Sequence, residues 1–454
     1  MALIIAALLL LSAPQGTDII GLRLFAANDE YRPPVIGMDE TVTVEFDVTA
    51  ERAPNLRIVF RHASRDWVPD DNLFVNDPAA MSADNLLYAP APQGVFTYTF
   101  RYRNSFPNSL NQVRFRHSGN YIVEIVDRDA GGVVVARGEC IVAENTLSVS
   151  GSVSNRYRTD AEPPLDEANH FDLMLSAPEL YRADDPLAID HQWLSGADII
   201  QNWRLTQPFR IDTDRPAADA YVDAPYRPGK RFILRNMPIG NEYRKLDLSD
   251  VTRYPNGAVA VPVGGPDVSR FRRQSRPDAN GAAKLRPFTG ANSEYLETEF
   301  RLRLAEAPAK NIYVVGPFSQ WKALPAYKMT RDSVTGLFVF RLWLRRGVYD
   351  YQYVLGRDDG QGGVSGQDWT ALEGNDFRTV NRYTVAVYYR DRRFGGVDRV
   401  VALVRGRGPG GSARQSVNIP ETKPGLPVYE APSPGWFPQG VPSVPDSTGK
   451  KGYL

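Results

Sequence analysis

The sequence predicts an all-β fold: tandem immunoglobulin-like β-sandwich domains followed by a disordered Pro/Gly-rich tail. Short segments alternate apolar and other residues with the period of two that marks a strand with one buried face. Turn residues interrupt such segments about every 8–12 residues, which is typical of a β-sandwich. After residue 405 the chain becomes rich in Gly and Pro, which predicts disorder. The clearest alternation is in 41–48, where one face carries Val42, Val44, Phe46 and Val48.

Length and composition limit the number of domains and the kinds of partner. The 454 residues are enough for about three domains at roughly 100–200 residues each. A hydrophobic content of 43% supports buried cores. Lys+Arg and Asp+Glu are equal at 53 each, so no net field favours nucleic acid or an acidic lipid surface. We therefore expect no nucleic-acid partner.

The first residues form an apolar run that ends in Ser-Ala-Pro. The run is too short to span a bilayer but fits the apolar region of a secretory signal peptide, although the usual basic start is missing. We assign residues 1–16 to a signal peptide, with a buried first strand as the alternative. No other segment reaches the length of a membrane helix. The sequence thus predicts export without membrane insertion.

Four units follow the leader. We expect an N-terminal sandwich at 17–145, a middle β-rich domain at 146–296, a C-terminal sandwich at 297–405 and a disordered tail at 406–454. No cysteine pair bridges the predicted sheets, so the disulfide signature of antibody domains is missing. Two apolar pairs in the tail are candidate docking points: Trp436-Phe437 and Tyr453-Leu454.

The C-terminal sandwich is the most recognisable unit. Residues 311–354 read as a strand, a Gly-Pro turn with Phe318 and Trp321, a polar loop and two further strands. Tyrosine at every second position in 347–353 predicts a half-buried strand. The pattern resembles the small β-sandwich modules related to glycogen- and starch-binding domains. That resemblance implies an all-β module without a catalytic group.

The aromatic residues of this unit allow two interpretations. They could form an exposed platform that stacks on sugar, or they could pack between two sheets. We favour the packed core, because likeness of fold to a glycan binder does not carry the binding site with it. The residues concerned are Trp321, Trp343, Tyr349, Tyr351, Tyr353 and Trp369.

Catalytic signals are weak throughout. Of the four histidines only His62 has a nearby acidic residue in a plausible spacing, Asp66, and a hydrogen-bonded corner is favoured over a metal ligand or base. Cys140 lies in an alternating strand pattern and is read as a small core residue. No Gly-x-Ser-x-Gly motif is present. The sequence therefore predicts no catalytic residue, no cofactor and no metal site, and a protein that is not an enzyme.

Two groups of arginines could touch an acidic partner. Arg114 and Arg116 form one group, and the second is Arg390, Arg392 and Arg393. We favour the other interpretation, in which these side chains are solvated and protect strand edges from aggregation. The partner-binding residues remain unknown at this stage.

Several motifs, in order along nearly all of the chain outside the tail, resemble the type IX secretion system plug protein family of Bacteroidota. The chain departs from the family pattern at 63–64, where Ala-Ser replaces a Cys-Asp pair. The motifs are RHASRDW at 61–67, SGNY at 118–121, GNEYR at 240–244, YVVGPFSQW at 313–321, GVYDYQY at 347–353, EGN at 373–375 and VYYR at 387–390.

This resemblance implies a periplasmic protein without enzymatic activity. In that family the plug seals the periplasmic mouth of the SprA-type outer-membrane barrel when neither cargo nor a PorV-type shuttle occupies it. The expected protein is a monomer outside that complex. The alternative is a secreted carbohydrate-binding protein, and a hydrolase with a β-sandwich accessory domain ranks third.

Overall fold

The computed structural model describes residues 16–111, 113–160, 166–176, 189–223, 229–270, 278–411 and 415–420. Strands dominate these residues, which confirms the all-β class. Residues 1–15 of the predicted signal peptide and both apolar pairs of the tail lie outside the described residues. None of the helices in the described ranges is long and apolar enough to cross a membrane. They are short 3-10 turns at His191–Trp193, Gly290–Ser293, Pro317–Ser319, Pro325–Tyr327 and Arg392–Phe394.

The first sandwich contains nine strands. They are β1 (Ile19–Ala26), β2 (Val35–Gly37), β3 (Val42–Val48), β4 (Leu56–Ala63), β5 (Ser82–Ala83), β6 (Tyr88–Pro90), β7 (Phe100–Phe106), β8 (Gly119–Asp127) and β9 (Val133–Ala143). The sheets have the orders β1-β3-β7-β6 and β2-β9-β8-β4-β5. Both sheets contribute to one apolar core, which includes Phe46, Tyr121 and the free thiol of Cys140.

The chain then begins, but does not complete, a second sandwich. Its next strands are β10 (Ser148–Tyr157), β11 (Glu167–Ser176), β12 (Leu194–Gln201), β13 (Phe209–Asp212), β14 (Ala220–Asp223) and β15 (Gly229–Pro238). After β15 the chain leaves for a third sandwich.

The third sandwich is built around one long strand. Its strands are β16 (Arg244–Asp247), β17 (Asp267–Val268), β18 (Ala283–Leu285), β19 (Tyr295–Arg303), β20 (Asn311–Val315), β21 (Thr330–Arg331), β22 (Phe338–Arg345), β23 (Gly347–Asp358) and β24 (Val364–Asp368). One sheet has the order β17-β19-β22-β21. In the other, β23 pairs with β16, β18, β20 and β24.

The last strands return to the second sandwich. They are β25 (Arg382–Asp391), β26 (Val397–Arg407) and β27 (Ser416–Ile419). Strand β25 pairs with β12 in the sheet β13-β12-β25-β26, and β27 completes the sheet β14-β15-β11-β10-β27. The two sheets enclose one core that includes Phe171, Ile199 and Val385. The third sandwich is thus an insertion between β15 and β25.

This pairing disagrees with the predicted domain boundaries. The predicted middle domain ended at 296 and the C-terminal one at 405, yet 382–407 pairs with the sheet of β12. Strand β27 also lies inside the segment predicted to be disordered from 406 onward. The physical reason is that β12 needs a partner on its second edge, and only long-range pairing with β25 supplies one. We propose a division into three sandwiches, with the second built from two separate stretches.

Two strands predicted to be half-buried are buried on both faces. In β3 the polar Glu45 and Asp47 are buried as well as the valines, and in β23 Asp350 is fully buried opposite the tyrosines. Glu45 and Asp47 are covered by the third sandwich, and Asp350 by the turn that precedes β18. The alternation of apolar and polar residues within one strand could not predict that its polar face is buried, because the residues that cover this face come from distant parts of the chain.

Candidate functional site

The first motif, 61–67, lies where the first sandwich meets the second. The predicted pairing of His62 with Asp66 is wrong: His62 Nδ1 lies 2.6 Å from an oxygen of Asp70, and Nε2 lies 3.1 Å from the carbonyl oxygen of Ser118. The chain turns after β4 and returns so that the Asp70 amide donates to the His62 carbonyl. Asp66 points instead to an ion pair with Arg210. The hydrogen-bonded corner is therefore present, with a different acidic partner.

Arg65 joins the first sandwich to the second. Its Nε donates to Asp198 at 2.8 Å and its Nη1 to Asp212 at 2.6 Å, while its backbone amide donates to Asp398 at 2.9 Å. The guanidinium also lies over the ring of Tyr388, 5.2 Å from its centroid. Burial raises the pKa of Asp198 against the opposing effect of Arg65. Arg65 is thus the hydrogen-bonded cationic partner of a buried carboxyl group, with Arg210 farther away at 3.8 Å.

An apolar cluster reinforces the same junction. Val35 and Ile141 of the first sandwich pack with Ile200, Ala386 and Leu403 of the second, and all are buried. The motif at 118–121 adds polar links, since the Val400 amide donates to the Ser118 hydroxyl at 3.0 Å. A junction with its own buried core holds two domains in one fixed orientation more firmly than polar contacts alone.

The motifs at 240–244 and 373–375 meet where the third sandwich leaves the second. Glu373 accepts from Arg244 at 3.0 Å and from Arg270 at 2.8 Å. Asn375 accepts from the backbone amides of Ile239 and Gly240, at 2.9 and 2.8 Å. These contacts fix the point at which the inserted sandwich begins.

The third sandwich also contacts the first directly. The Tyr295 hydroxyl donates to Asp47 at 2.8 Å, and the Phe96 amide donates to Glu294 at 2.6 Å. From the motif at 313–321, Gln320 donates to the Arg137 carbonyl at 3.0 Å, and Lys322 just beyond it pairs with Glu139. Each sandwich therefore contacts both others, and much of the motif set lies at these junctions.

One exposed surface combines apolar and basic side chains. We name it the loop–hairpin face; the loop after β4 and the β25–β26 hairpin are neighbours in it, since a Cβ on Gly395 would lie 3.3 Å from Asn72. Leu73 is 75% and Phe74 79% exposed. The sequence signal was two adjacent large apolar residues in a polar loop, which our sequence analysis missed. The face consists of Val68, Leu73, Phe74, Arg390, Arg392 and Arg393.

The predicted arginine groups differ in their surroundings. Arg392 stacks on Trp193, 3.0 Å from the ring centroid, while Arg390 and Arg393 pair with Asp398 and Asp391. Arg114 and Arg116 are exposed but do not lie on a strand, contrary to our expectation. Of the two groups, the one on the hairpin lies beside an exposed apolar loop.

The aromatic residues of the third sandwich mostly form core, as favoured from the sequence. Trp321 is 1% exposed and its Nε1 donates to the Gly281 carbonyl at 2.8 Å. The tyrosines at 349, 351 and 353 are buried. Trp369 is half-buried, and Trp343 is 53% exposed. The sugar platform of the alternative interpretation would thus have to rely on Trp343 and Trp369 alone.

Within the described ranges, no group of three His, Cys, Asp or Glu side chains is placed to hold a metal ion. Burial raises the pKa of the Cys140 thiol, which keeps it protonated. His117 lies near the loop–hairpin face, and burial lowers its pKa.

Comparison with known families settles the relationship of the first sandwich. Residues 19–144 match the sequence model described as "Type 9 secretion system plug protein 1st domain". Residues 19–144 are similar to a type IX plug first domain. The match spans β1 to β9, includes two of the seven motifs, at 61–67 and 118–121, and supports the resemblance stated from the motifs. It supports a role related to type IX secretion.

Solved structures add a likeness of fold. One is described as "Crystal structure of a hypothetical protein from Parabacteroides merdae ATCC 43184 at 2.30 A resolution". It is 19% identical, covers 87% of this chain and 100% of its own, and has a TM-score of 0.66. This likeness shows the fold alone. No curated protein matches this chain.

Proposed function

We propose that this chain is the non-enzymatic plug of the type IX translocon, sealing the periplasmic opening of the SprA-type barrel when no cargo or shuttle is bound. The observation that carries the proposal is the match of residues 19–144 to the plug first domain. The predicted signal peptide would deliver the chain to the periplasm, and its outer-membrane association would come through the barrel.

The junctions support this function physically. A protein that closes a pore must keep one shape while it is bound. Its domains must therefore hold fixed orientations relative to one another. Here Arg65, Glu373 and Tyr295 each lie at a different junction in a buried hydrogen bond or ion pair. Mutual contact of all three sandwiches makes one broad, preformed surface, which lowers the ordering cost of binding.

The loop–hairpin face is our candidate for part of the barrel contact. Phenylalanine and arginine are enriched in protein interfaces relative to the rest of the surface. Exposed Phe74 beside three arginines has this composition, and exposed Leu73 adds apolar area. A stable seal needs roughly 1,000 Å² or more of buried area, so other surfaces must take part. Near-neutral net charge favours local complementarity over long-range steering.

The test is recovery of the barrel with the tagged full-length protein from detergent-solubilised outer membranes. Membranes with and without the PorV-type shuttle are compared. Enrichment of a very large barrel when the shuttle is missing, and its loss when the shuttle is present, is the expected result. Recovery of no barrel in either preparation would overturn the proposal. Displacement by the shuttle corresponds to a competitor that shifts a two-state equilibrium.

A further inference from the structure

A cleft of about 520 Å³ lies between the first and third sandwiches. Strand β6 and the loop that follows β18 both line it, the first with Tyr88 and the second with Phe288. Its volume is within the usual range for ligand pockets, roughly 300–1,000 Å³. The cleft is separate from the loop–hairpin face.

The lining of the cleft is strongly basic. Its one acidic lining residue is Glu30, which accepts from the Leu285 amide at 2.8 Å and pairs with Arg23 at 3.1 Å. Six lining side chains are basic, and they come from β1, β7, the segment around β18 and β22: Arg23, Arg101, Arg103, Lys284, Arg286 and Arg345.

Charge inside the protein does not balance these cations. Buried Glu45 lies within ion-pair distance of four of them: 2.8 Å from Arg23, 2.6 Å from Arg103, 3.8 Å from Arg345, and in contact with Arg101. Burial alone would raise the pKa of Glu45, but these arginines lower it to about 2. Glu30 also pairs with Arg23, and Asp47 lies 3.8 Å from Arg101. These three carboxyl groups face six basic lining residues, so positive charge remains in excess.

Arg345 has Glu45 as its ion-pair partner at 3.8 Å, but its hydrogen bonds are incomplete. It is 2% exposed, and among the residues that the structure describes neither its Nε nor its Nη1 has a hydrogen-bond partner. Its Nη2 donates to the Arg286 carbonyl at 3.2 Å, and the guanidinium lies 5.7 Å from the Phe288 ring centroid. Unpaired donors on a buried cation are costly, and an anion in the cleft would offset this cost through its charge, without direct contact with these two enclosed nitrogens.

We propose that this cleft binds an acidic peptide segment of a partner protein, with carboxylates on the arginines and an apolar side chain between Tyr88 and Phe288. Arginine binds carboxylates with two parallel hydrogen bonds, which suits a peptide ligand. The cations are distributed over several segments, as are the apolar lining residues Leu87, Leu285 and Pro287. A compact anion would use one or two of these groups, whereas a peptide can use many. This inference does not depend on the proposed plug function.

The test is fluorescence anisotropy of a labelled hexaglutamate peptide with the full-length protein. The cleft variant is Lys284→Glu with Arg286→Glu, because both side chains are exposed and can change without loss of packing. The matched control is Arg303→Glu with Arg331→Glu, two exposed basic residues at the other end of β22. That end is roughly 20 Å from Arg345, at about 3.3 Å per residue of strand. Hexaglutamine is the uncharged control peptide.

We expect saturable binding of hexaglutamate, at least about tenfold weaker in the cleft variant and unchanged in the control, and weaker at higher salt. Equal loss in both variants would mean general surface electrostatics and would overturn the proposal. So would no binding of hexaglutamate at all. Inorganic phosphate is added as a competitor; if it displaces the peptide completely at equal concentrations of charge, the cleft is a simple anion site and the peptide ligand is wrong.

Discussion

The Nε of Arg65 in the first sandwich lies 2.8 Å from Oδ1 of Asp198 in the second, and both side chains are buried. Replacing Arg65 with Met keeps most of the volume but leaves Asp198 buried without its hydrogen-bonded cation, with Arg210 at 3.8 Å as the remaining one. Breaking a buried pair in this way typically costs about 3–5 kcal/mol. We therefore expect the variant Arg65→Met to show a clearly lower urea midpoint than the unmodified protein.

The same motif provides the control for that measurement. Arg61 is partly exposed and lies 3.7 Å from Asp71 and 3.9 Å from Glu124, so Arg61→Met should cost no more than about 1 kcal/mol. The double variant Arg65→Met with Asp198→Asn should lose less than the sum of the single variants, because the buried charge is removed. Equal urea midpoints for the Arg61 and Arg65 variants would contradict the assignment of Arg65 as the link.

Gly119 is required by close packing at the same junction. Its φ of +147° is outside the region that other residues favour, and an added Cβ would lie 2.8 Å from the Asp398 carbonyl and in contact with His62. We expect Gly119→Ala to lower the free energy of unfolding by about 3 kcal/mol, from backbone strain and overpacking together. Gly131→Ala, at φ +76° with no atom within 4 Å of the new Cβ, should cost only about 1 kcal/mol. Thermal melts of the two variants would distinguish these costs, and similar melting temperatures would argue against the steric explanation.

Stability should fall as pH rises from about 4 to 7. Burial raises the pKa of Asp350 to about 7, with neighbouring Glu242 adding to the shift and Lys245 opposing it. Burial also raises the pKa of Asp278, where Asp350 contributes. An acid with a raised pKa in the folded state keeps its proton there while the unfolded chain loses it, so its stabilising effect is lost as pH approaches 7.

The variant Asp350→Asn tests this linkage. It removes the titration but can still accept hydrogen bonds from the amides of Ala279 and Gly281. We expect the urea midpoint of this variant to fall less between pH 5 and 8 than that of the unmodified protein. Some pH dependence should remain, because burial also raises the pKa of Asp47 to about 7. Asp71→Asn, at a fully exposed carboxyl group, is the control substitution. An unaltered profile for Asp350→Asn would show that Asp350 is ionised in the folded protein.

The loop–hairpin face should matter for binding and not for folding. Leu73→Ser with Phe74→Ser changes two exposed side chains, so the melting temperature should stay within a few degrees of the unmodified protein. If the face contacts the barrel, recovery of the barrel should fall at least about tenfold, as for a hot spot worth 2 kcal/mol or so.

Phe96→Ser is the matched control for this prediction. Phe96 is 86% exposed but lies beside Glu294 near the third sandwich, away from the hairpin. Barrel recovery should be normal with this variant. Normal recovery with the Leu73 and Phe74 substitutions would assign the contact to another surface while leaving the proposed function open to the shuttle experiment.

Patterns within single segments correctly predicted the strands and the residues that form their apolar faces. Alternation in β3 and β23 identified both strands, and the aromatic character of the tyrosine positions correctly favoured core over a sugar platform. The burial of Glu45 could not be predicted in the same way, since Arg345 reaches it from 300 residues later. His62 shows the same limit at short range: the direction of the chain after β4, not the spacing, decided that Asp70 is its partner.

The motifs could be recognised in the sequence, but the sequence did not indicate that they lie at the junctions between the sandwiches. Nothing in 240–244 or 373–375 indicates that they meet, because the contact of Asn241 with the Glu373 carbonyl spans the whole inserted sandwich. The insertion itself was missed for the same reason. Ala197 pairs with Val387, and these residues lie in strands far apart in the chain. The alternation of apolar residues within one segment cannot predict which distant strand it pairs with.

The inserted sandwich has a consequence for how the molecule could be dissected. Its entry and exit are close together, since Asn381 donates to the Ile239 carbonyl at 2.8 Å. Residues 240–380 could therefore be replaced by a very short linker, leaving the two halves of the second sandwich able to meet. The order of synthesis is less favourable for folding of the second sandwich. Strand β12 cannot pair with β25 until the whole insert has been translated. All nine strands of the first sandwich are synthesised before those of the second. The N-terminal sandwich can therefore fold first, as a separate unit.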